Sequence, residues 1–209
     1  MLHFYGIEHH EQFSSPNKHW SLRYMEWLKT IEMEEESGRA VLQTFISEVE
    51  QMRKVQLEVT RKIRTLSETK SYGKDYGLLL GIPGIGLITG MTFLTEIEDI
   101  NRFPSTDDFV SYVGLIPSCH STGEKENNGE ITSRAKKILR DLIVESAWIT
   151  ARKDPALHRA FCTLCKRMEP NKAVIRIARK LLNRIYHVLK TKTEYKCGTV
   201  DERNKDETV

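Results

Sequence analysis

Ser121 and Thr122 stand side by side in CHSTGEKENNGEITSRAKK, ahead of Gly123 and of the cations Lys125, Arg134, Lys136, Lys137 and Arg140. A hydroxyl is a weak nucleophile until a base or a positioned electrostatic environment helps it. Against a phosphodiester these ingredients are coherent. The hydroxyl attacks phosphorus, cations and backbone amides take up the developing oxygen charge, and a polar loop admits the strand. His120 adjoins Ser121 but is a poor candidate base, because neighbouring residues seldom turn their side chains toward one another. Ser-Thr-Gly also occurs in ordinary loops, so an idle loop is the competing reading. A second basic set, Lys172, Arg176, Arg179, Lys180 and Arg184, falls in one run near the C-terminus.

The charge is unevenly placed. Residues 123–192 carry 17 Lys/Arg against 7 Asp/Glu, while the rest carries 15 against 22 and the whole chain nets only +3. Such asymmetry fits a polyanionic partner for the basic half. Further upstream, GIPGIG at 81–86 interrupts two apolar helical stretches and reads as a tight turn between helices. Gly84 and Gly86 permit close backbone approach, and the free N–H groups opening the second helix can hold a phosphate. No Lys-Ser/Thr follows and no strand precedes, which excludes a nucleotide-binding loop. A purely structural turn is the alternative.

Other chemistries are poorly supported. Cys162 and Cys165 form a lone CxxC within a helical pattern, and with Cys119 and Cys197 they read as reduced thiols of a cytosolic protein. His3, His9, His10 and His19 are scattered without ligand spacing, so no metal site is expected. The N-terminal MLHFYGIEHHEQF lacks the basic flank and apolar run of a secretory leader, and no stretch is long enough to span a bilayer.

The elements that must position these residues predict an all-α fold. Residues 1–34 form a linker segment with one short amphipathic helix over 19–33. Residues 35–70 form a long helix in which Leu42, Phe45, Val49, Met52, Gln56, Val59, Ile63 and Leu66 recur at alternating three- and four-residue steps. That seam is heptad-like and implies helix-on-helix packing, with another copy or within the chain. Residues 71–190 form a compact helical domain containing the glycine turn and the Ser-bearing loop. Helices are expected at 76–97 around GIPGIG, at 104–113 with Ser105 and Asp108 as a capping pair, at 133–152 capped by Thr132, at 156–168 and at 171–190. Residues 191–209 form a polar tail.

The run from Leu80 to Arg184 resembles the C-terminal transposase domain of a large bacterial family, the insertion-sequence one-hundred-and-ten family. The resemblance rests on GIPGIG at 81–86, TEIEDINRFPS at 95–105, FVSYVGLIPSCHSTGEKENNGEIT at 109–132, LRDLIVESAW at 139–148, RKDPAL at 152–157 and VIRIARKLLNRIY at 174–186. The preceding segment resembles the region joining that family's two catalytic domains. The resemblance implies a DNA recombinase guided by a structured RNA, in which a serine forms a covalent 5′-phosphoserine link. That serine maps to Ser121, with Thr122 as the fallback. DNA and the guide RNA would lie on the glycine turn and the basic helices, and residues 35–70 would join protomers of a homo-oligomer. No cofactor is implied for these residues; Mg2+ belongs to a RuvC-like domain with a DEDD carboxylate set. That domain is expected to be missing ahead of Met1, and Glu8, Glu11, Glu26 and the acidic run from Glu32 to Glu36 are not expected to replace it. The chain also departs from the pattern at Ala135, near a usual glycine. A truncated bacterial transposase, cytoplasmic and nucleoid-associated, is therefore expected; a non-catalytic oligomerisation and RNA- or DNA-binding module is the alternative.

Overall fold

The computed structural model describes residues 2–7, 13, 21–115, 117–122, 125–131 and 136–198, with backbone pairing alone for 117–122 and 125–131. The architecture is all-α, with eight α-helices among the described residues. The chain divides into two compact units at Arg61/Lys62.

In the first unit a short 3-10 turn, Leu2–Tyr5, precedes α1 (Leu22–Thr30) and the start of α2 (Glu36–Ser67). Ser21 caps α1 by accepting from the Tyr24 amide, so this helix begins later than its sequence period predicts. Phe13, Tyr24, Met25, Leu28, Met33, Leu42 and Ile46 bury a small core of their own. The seam of α2 is mixed: Leu42 is buried and Val49 and Ile63 are partly buried against the two cores, whereas Phe45, Met52, Val59 and Leu66 are exposed, Met52 to 71%, as is the neighbouring Val55.

The second unit takes its core from α3 (Gly73–Leu80), α4 (Leu87–Ile97), α5 (Thr106–Val113), α6 (Lys137–Lys153), α7 (Pro155–Cys165) and α8 (Pro170–Thr191). Nine residues of α8 are buried, among them Ile177, Leu181 and Ile185, which makes it the central helix. The capping box at α5 is complete: Ser105 Oγ accepts from the Asp108 amide and the Asp108 carboxylate accepts from the Ser105 amide. Gly114, at φ +85°, ends that helix in the left-handed region. Asp154-Pro155 starts α7, with the aspartate as cap and the proline in the first turn.

Two expectations change. The segment read as a polar loop is a two-stranded antiparallel hairpin, β1 (Pro117–Thr122) with β2 (Lys125–Ile131). Its residues alternate too little in hydropathy to announce a strand; backbone pairing across the turn supplies the order instead. Helix α6 starts at Lys137 rather than 133, which leaves Ile138 65% exposed; Thr132, its expected cap, lies outside the described residues. No described helix is long and apolar enough to cross a membrane.

Candidate nucleic-acid interface

Ser121 and Thr122 are the last two residues of β1. Their register partners are Glu126 and Lys125 across the hairpin, and His120 pairs with Asn127. The hydroxyl pair thus sits at the turn end of the hairpin with Lys125 directly across from Thr122. Gly123 and Arg134 lie outside the described residues.

The glycine turn, residues 81–86, is built against α6. Gly84 has φ +93°, and a Cβ there would lie 2.5 Å from the Ser146 carbonyl oxygen and 2.7 Å from Thr150 Oγ1. Only glycine satisfies both constraints. Thr150 Oγ1 donates to the Pro83 carbonyl at 2.5 Å, which ties the middle of the turn to α6. Gly86 is different. It precedes the first turn of α4, and open space surrounds its Cβ position. Gly84 therefore serves packing, while Gly86 leaves a helix N-terminus uncovered. A groove beside the turn is lined by Thr89, Trp148, Ile149 and Arg152. Arg152 escaped the sequence reading, because its closeness to the turn depends on how α6 crosses the Gly84 backbone.

The expected cations separate into those already neutralised and those left open. Lys136 pairs with Glu96 at 2.8 Å, and that hydrogen bond, with the carboxylate's charge, raises the Lys136 ammonium above the usual lysine value. Lys137 pairs with Asp141 one turn on, at 2.5 Å. Arg140 is half-buried on the same helix. Arg179 donates to Asp107 at 2.9 Å. Arg184 is the clearest case of a structural cation: its guanidinium contacts the fully buried Asp154 at 2.6 Å. By contrast, Lys172, Arg176 and Lys180 are exposed, lie four residues apart on α8, and hold no ion pair among the described residues. At 1.5 Å rise per residue this spacing sets three cations about 6 Å apart along one side of the helix.

Asp154 was legible only as a helix break. Its carboxylate accepts from the Leu157 amide, Arg184, the Tyr195 hydroxyl and, at 3.8 Å, Cys197 Sγ. Burial alone pushes this carboxyl up, but the donors and the Arg184 charge outweigh it and hold it below the ordinary aspartate value. Burial and the bond to Asp154 raise the Tyr195 hydroxyl.

Among the described residues no three His, Cys, Asp or Glu side chains are placed to share a metal ion. On α7, Cys162 is exposed and Cys165 half-buried.

A helical domain with a hydroxyl-bearing hairpin and an open row of cations is suited to a protein that handles nucleic-acid backbones. Residues 76–162, which include the whole hairpin and the glycine turn, match the transposase family described as IS116/IS110/IS902. The chain is 42% identical over 69 residues to the transposase for insertion sequence element IS1328 of Yersinia enterocolitica, covering 33% of this chain and 21% of the relative. It is 29% identical over 129 residues to the transposase for insertion sequence element IS1111A of Coxiella burnetii, covering 60% and 35%. The chain thus spans about a third or less of the length of these relatives.

Proposed function

We propose that the chain binds nucleic-acid backbone within a DNA transposase and supplies the Ser121 hydroxyl for strand exchange. The observation that carries this reading is the position of Ser121 at the turn end of a hairpin lying wholly inside the matched segment, where its cross-strand partner is Glu126 and the next pair along is Thr122 with Lys125. In the proposed step Ser121 Oγ bonds to phosphorus and the bond from phosphorus to the 3′ oxygen breaks. The hydroxyl proton passes to the departing oxygen, leaving a 5′-phosphoserine and a free 3′-hydroxyl. Lys125 stabilises the negative charge that builds on the phosphoryl oxygens. Thr122 is the fallback nucleophile, one position along. Lys172, Arg176 and Lys180 hold backbone phosphates of DNA or of a structured guide RNA, and the Gly86 end of α4 offers amides to another.

The exposed seam of α2 favours an additional role in self-association, with Phe45, Met52, Val55 and Val59 packing against a second copy. A non-catalytic oligomerisation and nucleic-acid-binding module is the second reading, and that seam is the observation in its favour.

A nicked suicide DNA substrate, mixed with the chain and a RuvC-like partner, separates the two. The catalytic reading predicts a covalent protein–DNA adduct that disappears in Ser121→Ala and persists in Thr122→Val. Adduct loss in Thr122→Val alone would move the nucleophile. Salt-sensitive binding with no adduct would leave the non-catalytic module.

A further inference from the structure

We propose that residues 192–197 form a strap whose docking fixes the 81–86 turn, with Tyr195 as its positioning residue. The functional consequence rests on the reading that this turn meets nucleic acid.

The strap begins where α8 ends. Lys192, at φ +55°, adopts the left-handed conformation and reverses the chain, and its Nζ reaches both carboxylate oxygens of Asp75 on α3, at 2.7 and 2.8 Å. Three residues on, Tyr195 packs against the helical core and donates to the buried Asp154 carboxylate beside Arg184. The Arg184 guanidinium also lies 5.4 Å from the centre of the Tyr195 ring. A Cβ on Gly81, the first residue of the turn, would lie 3.9 Å from Tyr195 Cβ, so the strap runs beside the turn, and Gly81 and Tyr195 line one pocket.

A second connection reaches the same turn. The Asp154 amide donates to the Thr150 carbonyl at 2.9 Å, and the Thr150 hydroxyl donates to the Pro83 carbonyl. Tyr195 therefore lies beside the turn at Gly81 and is connected to it at Pro83 through Asp154 and Thr150. The turn has few bonds of its own, notably Ile82 N to Leu79 O at 3.0 Å and Ile85 N to Ile82 O at 3.1 Å. Ile82 and Ile85 bury their side chains in the core, and beyond that a segment so lightly bonded within itself opens locally at a free energy to which its outside supports contribute. By linkage, a polyanion that binds the ordered turn also holds the strap down.

Amide hydrogen exchange on the full chain tests this, comparing the wild type with Tyr195→Phe and with Lys192→Met/Tyr195→Phe. Tyr195→Phe keeps the ring and removes only the hydroxyl. Protection of the Ile82 and Ile85 amides is expected to fall about tenfold, while Leu181 and Ile185 in α8 change less than about twofold. Unchanged turn amides in the double variant would overturn the strap. An equal loss at all four amides would overturn it too, because Tyr195 would then act on global stability alone. DNA binding by the same variants is the second readout. A loosened turn with weakened binding supports both proposals, whereas a loosened turn with unaltered affinity keeps the strap and removes the turn as a nucleic-acid contact.

Discussion

At Gly84 two constraints coincide, a φ of +93° and a backbone oxygen 2.5 Å from where a Cβ would stand. Gly84→Ala should therefore cost about 2–4 kcal/mol, read as a lowered denaturation midpoint with unchanged slope. Gly86→Ala, which meets open space, should cost well under half of that. The two arginines once grouped as polymer contacts also divide by environment. Removing the Arg184 side chain strands a fully buried carboxylate, and Arg184→Ala should destabilise by about 3–5 kcal/mol. Its nucleic-acid affinity, measured where the variant remains folded, should change little. Arg179 pairs with an exposed Asp107, so Arg179→Ala should leave stability within about 1 kcal/mol of the wild type.

The start of α7 joins cap, ion pair and acid sensitivity in one carboxylate. Because the Asp154 value is depressed in the fold, its stabilisation is fully present above the unfolded aspartate pKa, about 3.9, and is lost as pH falls through the folded value. Unfolding free energy measured between about pH 2 and 5 should thus drop more steeply for the wild type than for Asp154→Asn; parallel curves would contradict this. Helix α2 makes a different prediction. Its seam was readable from spacing alone, and Leu42 and Ile46 are buried, yet Met52 and Val59 stay exposed within the single chain. Met52→Glu/Val59→Glu should shift sedimentation toward monomer without lowering the melting temperature by more than about 3 °C. The helices could be read in advance because α8, α5 and α2 repeat apolar residues at helical spacing and α5 carries its own capping pair. The hairpin could not, since its strands are polar in sequence and lack the apolar alternation that announces a strand; the backbone pairing is what reveals them. The split among the cations was legible only in part: Lys137 and Asp141 stand at an i,i+4 spacing visible in the sequence, but Glu96 and Asp107 reach Lys136 and Arg179 through tertiary packing that spacing does not show.

Across the molecule, the cations singled out from the sequence include a neutralised set, Lys136, Lys137, Arg179 and Arg184, and an open row on α8 that holds no ion pair among the described residues. The account requires that this row, Lys172, Arg176 and Lys180, take backbone phosphates. Its most direct test is the salt dependence of DNA binding by the full chain. Each lost phosphate contact should reduce the magnitude of the slope of log K against log salt by about 0.9 on duplex DNA. Lys172→Ala/Arg176→Ala/Lys180→Ala should therefore flatten the slope by about 2–3, while Arg179→Ala should leave it nearly as it was. An unaltered slope in the triple variant would contradict the account.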